Sequence, residues 1–64
     1  MYGRLYTEMK KAHVTQTELG KLLGISTNAV NYKLSGKREF KSSEMNKICE
    51  VIKDVPMQEL FKKD

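Results

Sequence analysis

The sequence has little of what builds catalytic, metal-bound or disulfide-stabilised proteins. Of its 64 residues one is cysteine, one is histidine, one is proline and none is tryptophan. A lone cysteine excludes an internal disulfide, and with a single histidine beside it the chain falls short of the ligand set of a structural zinc site. No apolar run approaches the roughly 18 residues of a membrane span, and Met1 to Ala12 is polar, without the apolar segment of a signal peptide. No paired Cys and His, no H-E-x-x-H and no phosphate-cradling glycine loop occurs. The expectation is one small domain spanning 1–64, cytoplasmic, not an enzyme, with no metal, no cofactor, no membrane attachment and no small-molecule substrate.

Strand alternation is also missing, whereas apolar residues recur at helical spacing from end to end, which predicts an all-α fold of five helices. The first runs from about Tyr2 to Ala12, with Leu5, Met9 and Ala12 as an inward stripe that Tyr2 and Tyr6 widen. His13 follows as a C-terminal cap, because histidine tolerates positive φ and its charge suits the negative end of a helix dipole. Thr15-Gln16-Thr17-Glu18 matches the capping box, so the second helix opens at Thr15 or Gln16. Leu19, Leu22 and Leu23 form its buried stripe, and Gly24 stops it. Ser26 is placed to cap a third helix, Thr27 to about Leu34, with Ile25, Val30 and Leu34 inward. The fourth runs from Ser42 or Ser43 to Lys53 and carries Met45, Ile48, Cys49 and Ile52 at i, i+3, i+4, i+7, which makes Cys49 a packing residue rather than a reactive thiol. The fifth runs from Pro56 to about Lys62, with Met57, Leu60 and Phe61 as its apolar face.

Two short helices around Gly24-Ile25-Ser26 form a helix-turn-helix at about 16–35, the element whose second helix enters the DNA major groove. The spacing supplies Gly20 where the helices must cross closely and Val30 where the second must bury an aliphatic group. The outward face of the third helix carries Thr27, Asn28, Asn31 and Tyr32. All four carry groups able to hydrogen-bond and neither Asn is a strong helix former, whereas an ordinary solvated face more often uses Lys and Glu. Charge is distributed to match. Residues 1–32 hold four basic and two acidic groups, residues 33–41 four and one, and residues 42–64 four and five. The positive charge concentrates beside the polar face, as contacts with a phosphate backbone require.

In this order and spacing, T-Q, L-G-I-S, S-G-K and E-L-F resemble the XRE-type helix-turn-helix domain of phage repressors and Cro-like proteins, over about Leu5 to Phe61. The resemblance implies a sequence-specific regulator of phage, prophage or mobile-element origin that binds double-stranded operator DNA, as a homodimer on the duplex. It implies base contacts from Thr27, Asn28, Asn31 and Tyr32. It implies phosphate contacts from Gln16 and Thr17 at the start of the second helix, with Gln16 alternatively buttressing the third helix, and from Lys33, Ser35, Lys37, Arg38 and Lys41 around the end of the third. Side-chain chemistry agrees, since Asn pairs bidentately with adenine while Thr and Tyr reach base edges or a thymine methyl. A dimer contact falls on Val55, Met57, Leu60 and Phe61, with Leu60 and Phe61 alternatively closing the core.

Two positions depart from the family pattern. Met9 and Leu34 stand where many relatives pair an arginine with a glutamate, a swap that well-packed apolar groups can make without loss of stability. Gly20 stands where alanine is usual, at about 0.5 to 1 kcal/mol of helix propensity. The sequence leaves open whether the chain is a complete Cro-like protein or the DNA-binding half of a longer repressor. The rival reading is a protein-interaction module on the same scaffold, an antirepressor or antitoxin component.

Overall fold

Five helices make up the regular structure: α1 (Gly3–Lys11), α2 (Gln16–Leu23), α3 (Thr27–Leu34), α4 (Ser42–Val51) and α5 (Met57–Leu60). The structure is a computed structural model that describes residues 1–63, so Asp64, the last residue of the expected domain, lies outside the described residues. No strand is present among the described residues, and the all-α expectation holds.

Local backbone chemistry sets the four helix ends from the close of α1 to the start of α3. His13 takes a left-handed conformation at φ 58°, its N–H donating to the Lys10 carbonyl at 3.2 Å and the Val14 N–H to the Met9 carbonyl at 2.9 Å. This crossed pair of hydrogen bonds closes α1 with a residue type that glycine usually supplies. At the start of α2 the Thr15 hydroxyl accepts the Glu18 N–H, and the Glu18 carboxylate accepts the Thr15 N–H, each at 3.1 Å. Gly24 ends α2 at φ 71°, and Ile25 returns its N–H to the Gly20 carbonyl at 2.9 Å. The Ser26 hydroxyl then caps α3 by accepting the Ala29 N–H at 3.1 Å.

Gly20 is required by this turn. A β-carbon there would lie 2.8 Å from the Ile25 carbonyl oxygen, so the turn backbone, rather than helix against helix alone, sets the close approach. With Gly20 bare, α2 and α3 pack more extensively against each other than any other pair of helices.

Leu5, Leu19, Val30, Ile48 and Leu60 are fully buried, one from each helix. Each contributes about 1.5 to 3 kcal/mol by leaving water. Met9 and Leu34 are buried in the same core, as the apolar exchange for an ion pair requires. Three sequence expectations are corrected. Ala12 is exposed, because α1 stops at Lys11 and the chain turns away. Leu22 is 36% exposed, because α2 presents Leu19, Gly20 and Leu23 to α3 and leaves Leu22 at the edge. Tyr6 is also 36% exposed, with the Lys10 ammonium over its ring at 4.9 Å. The last helices are shorter than expected: α4 ends at Val51 and α5 is one turn, with Ile52 and Val55 buried from extended or bent backbone.

Candidate nucleic-acid interface

Helix α3 turns Val30 and Leu34 into the core and Thr27, Asn28, Asn31 and Tyr32 outward, where all four are exposed. Positions 27, 28, 31 and 32 recur at i, i+1, i+4, i+5, so a helical period of 3.6 puts them on one face. Tyr32 stands 43% exposed at the end of this row.

The loop after α3 folds back over that tyrosine. Gly36 adopts φ 89°, the Gly36 N–H donates to the Lys33 carbonyl at 3.2 Å, and the Lys37 N–H donates to the Tyr32 carbonyl at 2.9 Å. The reversal carries the Lys37 ammonium and the Arg38 guanidinium over the Tyr32 ring, at 5.4 Å and 5.9 Å from its centre. The side chains with base-reading chemistry and the loop cations therefore adjoin. Glu39, the loop's acidic residue, is taken up by the Lys63 ammonium at 2.6 Å and by the Tyr2 hydroxyl, which donates to it at 3.3 Å. The hydrogen bond from Lys63 holds its carboxyl below the usual carboxylate range. Lys37, Arg38 and Lys41 form no ion pair among the described residues, so the face stays electropositive.

At the start of α2, Thr17 is exposed and Gln16 half-buried. The expected phosphate set is corrected at Lys33. Its ammonium is buried and pairs with the Glu44 carboxylate at 2.5 Å, with the side chains 8% and 9% exposed. Ser35 is exposed, but its hydroxyl proton is used within the helix end, donating to the Tyr32 carbonyl at 3.0 Å.

Of the segment expected at a dimer contact, Leu60 and Phe61 serve the chain's own core, the alternative that the sequence left open. Val55 and Leu60 are buried in the chain's own core. Phe61 is half-buried, edge-on to Tyr2 and Phe40 at 6.2 Å and 5.4 Å between ring centres. Met57 alone of the four is exposed. Cys49 packs half-buried against the core, and burial pushes its thiol pKa up, as suits a packing residue. No cluster of three or more His, Cys, Asp or Glu stands close enough to hold a metal ion among the described residues.

The helix-turn-helix family matches residues 5–60, from the first turn of α1 to the end of α5. The chain belongs to the XRE-type helix-turn-helix family. No curated protein and no solved structure matches it significantly. As an XRE-type helix-turn-helix protein it is a DNA-binding regulator, and its α2–turn–α3 unit is the motif that the family is named for. No helix among the described residues is long and apolar enough to cross a membrane.

Sequence reasoning overlooked the partners that bury charge. Val30, Lys33 and Leu34 stand at i, i+3, i+4, and so do Leu5, Glu8 and Met9. Each triplet is an inward stripe with one ionisable member, and such a residue requires a partner. Glu8 finds Arg4 at 3.1 Å and Lys11 at 3.4 Å, while Lys33 finds Glu44. Helical period alone pointed to both.

Proposed function

We propose that this helix-turn-helix protein is a sequence-specific transcriptional regulator that reads an operator in the major groove through α3. The observation that carries the reading is the single surface on which Thr27, Asn28, Asn31 and Tyr32 stand exposed beside Lys37 and Arg38, with both cations over the Tyr32 ring. Asn28 and Asn31 each carry a carbonyl oxygen to accept from adenine N6 and an amide N–H to donate to its N7, and Thr27 and Tyr32 meet neighbouring base edges or thymine methyls. Gln16, Thr17, Lys37, Arg38 and Lys41 hold the phosphate backbone on either side, fixing register without reading sequence. Lys33 and Ser35 are left out of this set, since the Lys33 ammonium is buried against Glu44 and the Ser35 hydroxyl donates to the Tyr32 carbonyl.

Two chains bind one operator, whose half-sites lie about one helical turn apart. Exposed Met57 is the residue of the expected dimer segment that remains for that contact. Selection of bound fragments from a random duplex library tests the reading. Recovery of a pseudo-palindromic consensus, with binding that weakens steeply as salt rises, is the expected result. Recovery of no consensus, or partner binding indifferent to salt, would transfer the function to the protein-interaction reading.

A further inference from the structure

The loop that carries Lys37, Arg38 and Lys41 is fixed at its far end by one carboxylate. Glu44, in the first turn of α4, accepts the Lys33 ammonium at 2.5 Å and the backbone N–H of Lys41 at 2.8 Å, both on the same oxygen, Oε1. That oxygen joins three pieces: the last turn of α3, the end of the loop and the start of α4.

Stability alone does not account for a buried ion pair here. Taking two charges out of water costs several kcal/mol per ion, and apolar residues of similar volume often match or better such a pair. The surroundings are suited to apolar side chains, since the Lys33 ammonium already lies 6.0 Å from the centre of the buried Phe40 ring, which packs edge-on to Tyr2 and Phe61. What an apolar pair lacks is an acceptor for the Lys41 N–H. The pair is also neutral as a unit, so the acceptor sits under an electropositive loop without adding net negative charge beside DNA.

We propose that Glu44 is a positioning residue for DNA binding. It fixes the 35–41 loop against α3, so that Lys37, Arg38 and Lys41 meet the phosphates in register with the base-facing side chains, and Lys33 serves this joint instead of touching DNA. The inference rests on the DNA-binding reading given above.

Two variants test it. Lys33→Met/Glu44→Leu exchanges the pair for apolar groups and leaves the net charge unchanged, so any loss of DNA binding is not one of bulk charge. It is expected to melt at or above the native temperature and to exchange the Lys41 amide faster. It should also bind the selected operator and random duplex more weakly together, with a log–log salt slope smaller by about one unit. Native binding, an unchanged salt slope and a protected Lys41 amide in the folded double variant would overturn the proposal. Should that variant not fold, Glu44→Ala, which removes the shared acceptor, decides through its sign. This change raises the net charge by one, so bare electrostatics tightens DNA binding, whereas loss of positioning weakens it; tighter binding overturns the proposal. If the native chain itself binds no duplex under any salt condition, the DNA reading fails first and takes the inference with it.

Discussion

Replacing Gly20 by alanine sets two effects of opposite sign against each other. An alanine in the middle of α2 gains about 0.5 to 1 kcal/mol in helix propensity, because glycine loses more backbone freedom on folding. Against this, the new methyl group would lie 2.8 Å from the Ile25 carbonyl oxygen and 3.5 Å from Val30 Cγ2. Carbon–oxygen contacts between packed backbones settle near 3.3 to 3.6 Å, so the Ile25 carbonyl must retreat by roughly 0.5 Å. It is poorly placed to do so. The Ile25 N–H is tied to the Gly20 carbonyl at 2.9 Å, and Ser26, the next residue, caps α3. Overpacking of this kind costs about 1 to 3 kcal/mol, so the net effect is a destabilisation of about 1 kcal/mol. For a domain of this size that lowers Tm by roughly 4 to 8 °C. Operator affinity should fall more than random-duplex affinity, because the displaced turn orients α3. Thermal melting beside urea denaturation measures the effect, and a Tm that rises, as propensity alone demands, would refute the reasoning.

Other expected outcomes follow from the core, the caps and the carboxylates. Leu34→Ala removes a side chain 4% exposed and should cost about 2 to 5 kcal/mol in denaturant unfolding, and its combination with Met9→Ala should be non-additive. His13→Gly relieves a left-handed backbone that an L side chain adopts at a cost of about 1 to 2 kcal/mol, less about 0.5 to 1 for glycine entropy, so Tm should rise by a few degrees with DNA binding unchanged. Glu8, Glu18, Glu39 and Glu44 are all held below the usual carboxylate range; for Glu44 burial pushes upward, and the hydrogen bonds from Lys33 and the Lys41 N–H outweigh it. Depressed folded-state values mean that this stabilisation is present above about pH 4.3 and is lost as pH falls through the folded values. The urea midpoint should therefore fall on acidification, and less steeply in Glu44→Gln; a midpoint independent of pH in the acid range would contradict the assignment.

The parts of this fold that were legible in the sequence are those decided within a few residues. The Thr15–Glu18 box, the Ser26 cap, the helix stop at Gly24 and even the positive φ of His13 depend on local hydrogen bonds, and all four are present. The outward row on α3 was equally legible, because a period of 3.6 around Val30 and Leu34 fixes which positions face away. What the sequence left hidden depends on partners distant along the chain. Lys33 meets Glu44 eleven positions on, and Tyr2 packs on Phe40 and Phe61 from the opposite end. Val55 is buried from a non-helical bend, where no periodic pattern marks it. Leu22 misled for the opposite reason, since it continues an apolar run beside Leu23 that the geometry of the α2–α3 contact does not use.

Binding of Asn31→Ala and Lys37→Ala to the selected operator and to random duplex across a salt series separates base reading by α3 from phosphate holding by the loop after it. Asn31→Ala should lose roughly 1 to 3 kcal/mol of discrimination at one base position and bind random DNA almost as the native protein does. Lys37→Ala should weaken both duplexes about equally and reduce the salt slope by about one unit. Identical profiles for the two variants, or DNA binding untouched by either, would contradict the account and leave the polar face of α3 as surface.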